Sequence, residues 1–157
     1  MTKEIALHRD EGRSIWMLGI LMTLKATAEE TDGALGLVEG LHPPGAGAPP
    51  HVHHNEDEFF YVIDGEVEVT IGDQKVQGKA GSFVFAPRDI PHSYKVTGSQ
   101  NSRLLLGVTP AGLEKCFVEL GEPAASLTIP QQTPPDMEKL LSIAERYNVD
   151  FLVPAAA

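Results

Sequence analysis

Gly45-Ala-Gly-Ala-Pro-Pro-His51-Val-His53-His54-Asn-Glu56-Asp-Glu58-Phe-Phe-Tyr-Val-Ile-Asp-Gly65 is the stretch on which the reading of this 157-residue chain turns. Glycines bracket it, two histidines stand one residue apart, and a carboxylate follows five positions after His53. In an extended strand alternate side chains share a face, so His51 and His53 converge on one point. The odd spacing to Glu58 would send that carboxylate to the opposite face of a continuous strand. Asn55-Glu56-Asp57 is turn chemistry, however, and a bend there returns Glu58 to the side of the histidines. Two imidazoles and a carboxylate aimed at one point make a ligand set for a first-row transition metal.

Working outward, Glu58–Ile63 is strongly β-prone and Asp64-Gly65 is a hairpin signal. Glu66–Ile71 then alternates, with Val67, Val69 and Ile71 inward and Glu66, Glu68 and Thr70 outward. The two glutamates therefore read as a solvated face rather than a catalytic pair. Short strands follow over 74–78, 82–86, 92–96 and 103–109, separated by Gly, Asp and Pro turns. On the N-terminal side, 1–13 reads as a polar arm with a solvated His8, and 14–28 as one or two strands broken near Gly19. A turn is expected over 29–33, then a strand over 34–42 with Leu35, Leu37 and Leu41 on one parity and Val38 on the other. His42, beside Pro43, reads as an exposed turn residue, and His54 as facing outward. Eight or nine short strands joined by turns indicate an all-β sandwich or barrel.

The character changes after Pro110. A short helix is expected over 111–120, then a proline-punctuated surface segment over 121–135. An amphipathic helix follows over 136–147, with Met137, Leu140, Leu141 and Ala144 on one side, and 150–154 closes as an edge strand or docking segment. The chain reads as one domain, residues 1–157, with a barrel core of about 15–110 and a helical extension over 111–157.

A net charge of −10 without a Lys/Arg cluster argues against nucleic acid or an anionic membrane surface as partner. Cys116, the single cysteine, can form no intrachain disulfide and reads as a buried structural thiol, so the fold needs no oxidising compartment. The apolar run Ile15–Met22 imitates a secretory signal, but Glu4, Asp10 and Glu11 spoil the basic region such a signal needs. Eight residues are also too few to span a bilayer. The run reads as an early strand, and the expected location is cytoplasmic.

His92, 34 residues after Glu58, opens a strand behind the Pro87–Pro91 loop. With it the chain resembles the cupins, and among them the single-domain quercetin dioxygenase-like cupins. Their first motif, G-x5-H-x-H-x4-E-x6-G, is met by Gly45, His51, His53, Glu58 and Gly65. Their second, G-x5-P-x-G-x2-H-x3-N, is met by Gly81, Pro87 and His92, while Asp89 replaces the usual glycine and Val96 the usual asparagine.

The resemblance implies a double-stranded β-helix (jelly-roll) barrel with a short C-terminal helical extension. It also implies one divalent transition metal per chain on His51, His53, Glu58 and His92. The ligand types suit iron, manganese, nickel, cobalt, copper or zinc. A quercetinase-like dioxygenase acting on a small aromatic or enolic, flavonol-type substrate is the expected function, with dioxygen as co-substrate. Glu58 either stays a ligand or accepts the substrate hydroxyl proton as general base. By strand parity Phe60, Val62 and Tyr94 are the candidate substrate contacts. A homodimer is expected from the resemblance. The alternatives are a non-oxidative isomerase, decarboxylase or lyase on a small acid, and a non-catalytic binding barrel.

Overall fold

The alternating run Glu66–Ile71 buries Val67 and Val69 and leaves Glu66 exposed, as a half-buried strand of period two requires. The computed structural model describes residues 2–152, and this run is one of twelve strands in it. In chain order they are β1 (Arg13–Met17), β2 (Ile20–Ala26), β3 (Gly36–His42), β4 (Gly47–His53), β5 (Asp57–Asp64) and β6 (Glu66–Ile71). There follow β7 (Gln74–Lys79), β8 (Phe83–Ala86), β9 (His92–Val96), β10 (Ser102–Thr109), β11 (Glu122–Pro123) and β12 (Val149–Phe151). The helices are α1 (Ala28–Thr31), α2 (Leu113–Leu120) and α3 (Met137–Arg146).

All pairings are antiparallel. One seven-stranded sheet runs β11-β1-β2-β3-β10-β5-β8 and one five-stranded sheet runs β12-β4-β9-β6-β7. The expected jelly roll is the observed architecture. Its main core lies between the sheets and includes Ile15, Met22, Val38, Phe60, Val62, Val67, Val69, Leu104 and Leu106. A second core of Val108, Leu113, Cys116, Ile143, Ala144 and Val149 joins both longer helices to the end of the barrel where β5 begins.

The segment after Pro110 belongs to both sheets, because β11 extends one edge beside β1 and β12 extends another beside β4. These two additions and β4, which carries the two histidines, explain why the strands outnumber the eight or nine expected. The proline-rich stretch between α2 and α3 is tied down by Trp16, whose Nε1 donates to the Thr128 carbonyl at 2.8 Å. The N-terminal arm is likewise held: Lys25 Nζ donates to the carbonyls of His8, Arg9 and Glu11, each at 2.7 Å.

Several local expectations change. The turn over 29–33 is partly α1, started by a capping box between Thr27 and Glu30. In β3 the inner face carries Val38, Gly40 and His42, while Leu37 and Leu41 are only half-buried. His42 is fully buried rather than exposed, because the pairing of β3 with β10 sets it opposite Ser102 inside the barrel. A side chain at Gly40 would collide with the His42 ring, which fixes a glycine there by close approach. In α3 the buried face is Leu140, Ile143 and Ala144, whereas Met137 and Leu141 are exposed.

Candidate metal centre

His51 and His53 lie two apart on β4, His92 opens β9 opposite His51, and Glu58 stands near the start of β5 in the other sheet. The bend over 54–56 moves the chain from one sheet to the other and sets Glu58 against the imidazoles, as the turn chemistry suggested. Ligand atoms from all four lie within 4.8 Å of one another, and all four residues are buried. His51 Nε2 is 3.1 Å from His53 Nε2, and Glu58 Oε2 is 2.8 Å from His53 Nε2 and 3.1 Å from His92 Nε2. Donors about 2.1 Å from an ion and at right angles to one another stand about 3.0 Å apart. The three edges match that spacing, so the cluster can bind a metal ion without large rearrangement.

The electrostatics suit a cation. Burial and the charge of His92 push His51 down to about 4. Burial would also lower His53, but the hydrogen bonds and charges of Glu56 and Glu58 outweigh it and raise His53 to about 9. Burial opposes ionisation of Glu58, yet hydrogen bonds and charge from His53 and His92 hold it well below the usual carboxylate range. A buried carboxylate kept ionised by imidazoles is a site whose positive charge protons supply and a metal can replace.

The outer ring nitrogens are held too. His51 Nδ1 is 2.8 Å from the Pro49 carbonyl, and His53 Nδ1 is 2.8 Å from Glu56 Oε1. His92 Nδ1 is 3.5 Å from the Ile90 carbonyl. In the sequence Glu56 stands out only as turn chemistry. Its spacing of three from His53 across a bend was the one signal available. Asp89, at the usual glycine position, has φ +66, a conformation that Asp adopts more readily than most residues. Its carboxylate meets His54 Nδ1 at 2.7 Å, and Asp150 of β12 meets His54 Nε2 at 2.8 Å. His54 is thus outside the cluster, bridging the barrel rim to the last strand.

A cavity of ≈ 80 Å³ borders the cluster, with His51, His53, Glu58 and Tyr94 on its wall. The rest of the wall is apolar and comes largely from outside the two motifs: Met17, Ile20 and Met22, then Leu113 and Phe117 of α2, Leu140 of α3 and Phe151 of β12. Phe151 stacks on His51 with ring centroids 5.4 Å apart. Sequence parity could not reveal these residues, since they reach the site only through tertiary packing. Phe60 and Val62 sit in the core instead, with Phe60 against His92 and Tyr94 at centroid distances of 5.9 and 5.4 Å. Neither is among the residues lining the cavity. The Tyr94 hydroxyl meets His42 Nε2 at 2.9 Å. Cys116 is buried on the cavity wall, and burial raises its thiol to about 12.

Among the described residues no helix is long and apolar enough to cross a membrane. Residues 40–108 match the Cupin domain family. Quercetin 2,3-dioxygenase of Bacillus subtilis is 27% identical over 117 residues, covering 74% of this chain and 34% of that protein. "Polyketide synthase CurC" of Streptomyces cyaneus is 28% identical over 108 residues, covering 69% of this chain and 66% of the relative. The chain therefore spans from about a third to just under two thirds of the length of these relatives. The solved structure of KdgF from Halomonas sp. shares the fold, with a TM-score of 0.62 at 21% identity over 73% of this chain and 99% of that one. Jelly-roll topology and both histidine motifs agree with the match over 40–108, so this stretch of the chain is similar to the cupins in fold and in motif.

Proposed function

We propose that His51, His53, Glu58 and His92 hold one divalent transition metal, and that the protein is a quercetinase-like dioxygenase acting on a small aromatic or enolic compound. The observation that carries this reading is the cavity wall. Beyond the cluster residues and Tyr94 it is apolar, and among the described residues no Lys or Arg lines it. A small dicarboxylate or sugar acid would need a fixed cation for its second charged group, since an unpaired buried charge is costly. A neutral ring or enol needs only the metal and the wall. At ≈ 80 Å³ the cavity is small beside ligand pockets of about 300–1,000 Å³, which favours a compact substrate. The likeness to quercetin 2,3-dioxygenase supports the same choice.

A bound divalent ion supplies Lewis acidity and an anchoring point for an enolate oxygen. The chain's own groups do the rest. Glu58, kept ionised by its imidazole partners, accepts the substrate hydroxyl proton at its carboxylate. Tyr94, on the wall and fixed at its hydroxyl by His42, orients a substrate oxygen or ring. The leucine, methionine and phenylalanine side chains exclude water from the reacting carbon. A homodimer and a cytoplasmic location belong to this proposal, and light scattering and cell fractionation test them.

The deciding experiment loads the protein with iron, nickel, manganese, cobalt, copper or zinc in turn and follows oxygen uptake with catechols, enediols and flavonols. Substrate-dependent uptake that vanishes in Glu58→Gln is the expected result. Turnover that persists under argon replaces the proposal with the non-oxidative reading. Metal binding without turnover on any of these substrates replaces it with a binding barrel.

A further inference from the structure

The three imidazoles of the cluster are not supported alike. The outer nitrogens of His51 and His92 face backbone carbonyls, Pro49 at 2.8 Å and Ile90 at 3.5 Å. His53 alone has its outer nitrogen on a carboxylate, Glu56 Oε1 at 2.8 Å. Glu56 is itself only 5% exposed, on the bend between β4 and β5. It is absent from the cavity wall, so it does not reach substrate. Burying a carboxylate at a bend is unfavourable unless a partner compensates it, and the partner here is that one ring nitrogen.

We propose that Glu56 is a positioning residue for the metal centre, holding His53 with its proton on Nδ1 so that Nε2 presents a lone pair to the ion. The inference rests on the four-residue metal site proposed above and deepens it. A ring that donates Nδ1–H to a carboxylate is locked in one tautomer and one orientation, and is made a stronger donor at Nε2. His53 Nε2 stands 3.1 Å from His51 Nε2 and 2.8 Å from Glu58 Oε2, where a rotation of the ring would break the common focus of the cluster. Glu56 thus gives the centre a second carboxylate that tunes a ligand without being one.

The test measures metal affinity by chelator competition, with cobalt as the probe ion, in wild type, Glu56→Gln, Glu56→Ala and His92→Ala. Nitrogen NMR of the imidazoles in the metal-free proteins reads the His53 tautomer above pH 9. We expect Glu56→Gln to lose about tenfold in affinity and Glu56→Ala about 10- to 100-fold. In wild type Glu56 and Glu58 compete for the ring proton of His53 from either side, so the share of the Nδ1–H tautomer is expected to fall in Glu56→Ala, where Glu58 alone accepts it, with the other two histidines unchanged. A merely structural role would lower thermal stability without moving the tautomer. Should Glu56→Ala not fold, the isosteric Gln variant still decides the matter. If affinity and tautomer in Glu56→Gln both equal those of wild type while His92→Ala fails to bind, the role of Glu56 is overturned and the metal site stands. If His92→Ala binds as wild type does, the metal site itself is overturned, and this inference falls with it.

Discussion

The four cluster residues all lie within 40–108, the stretch that matches the Cupin domain family, whereas most of the apolar wall facing them lies outside it. The inner region is two sheets whose register is fixed by long antiparallel ladders, seven paired positions between β10 and β5 alone, so the strand that carries Glu58 is held in place. The C-terminal flank touches the barrel through short additions, the two-residue β11 and the three-residue β12, and through two helices, whereas β1 and β2 on the N-terminal side belong to the seven-stranded sheet. Rigidity where the ion would sit and looser attachment where the substrate would sit is a division of labour. Such a division would let a barrel that holds a metal take different substrates as its flanks change.

The comparison breaks most sharply if either region can do the other's work. His92→Ala should abolish stoichiometric metal binding, a loss of more than about a hundredfold, since changes to outer-sphere partners alone cost about 10- to 100-fold. His54→Ala, one residue from His53 but outside the cluster, should bind as wild type does. Elemental analysis after dialysis distinguishes them, and equal loss in both would dissolve the ligand assignment. On the flank, Leu140→Ala removes a buried side chain shared by α3 and the cavity wall. It should cost about 3–4 kcal/mol in urea unfolding while leaving metal per chain unchanged. A parallel loss of metal would mean that the flank helps to build the centre.

How far the sequence could see follows the range of each signal rather than that border. Inside 40–108 the two histidine motifs, the bend before Glu58 and the alternation of Val67 and Val69 all rest on short-range pattern, and the structure brings the four motif residues together. Residues whose surroundings depend on a distant partner are not legible in this way. His42 looks like a turn residue because Pro43 follows, but Ser102, sixty positions away in sequence, draws it inside. Leu37 and Leu41 share one parity of β3 and Val38 the other, as the alternation indicates, but which parity faces inward is decided by Val38 and by the His42 ring over Gly40. In α3, Met137 and Leu141 lengthen the apolar stripe, but the contact falls on Leu140, Ile143 and Ala144. Periodicity names a face only when one side is buried evenly, and the docking angle of a terminal helix is invisible in its own sequence.

Within the barrel, His42 offers a sharper probe. It is fully buried, and burial lowers it from 6.5 to about 4. The unfolded chain therefore takes up a proton here before the folded one does. Stability from this residue is complete above about pH 6.5 and is lost as pH falls from there towards 4, by about 3 kcal/mol in all. His42→Gln can still meet the Tyr94 hydroxyl but cannot titrate. Urea unfolding with chelator present should show a flatter acid limb in the variant than in wild type between those two pH values. Identical limbs would mean that His42 titrates alike in both states, and that the barrel interior opens to water.

The smallest expected effect tests the border from the flank. Asp136 caps α3, its Oδ1 accepting the Lys139 amide at 3.0 Å. Loss of an N-cap of this kind costs about 1 kcal/mol, or about 2–4 °C in a domain of this size. Asp136→Ala removes nothing that touches the cavity, because Leu140 and Ala144 line it from later turns. Amide exchange should therefore quicken in 137–146, and in β12 where α3 leads into it, while β4, β5 and β9 keep their protection and metal affinity stays within about twofold. If β4 loosens as well, the pairing of Phe151 with His51 carries the disturbance from the cap to a cluster residue. The flank would then be part of the metal centre, since among the described residues the ladder that joins the segment after α3 to the cluster's strand is the three pairs between β12 and β4.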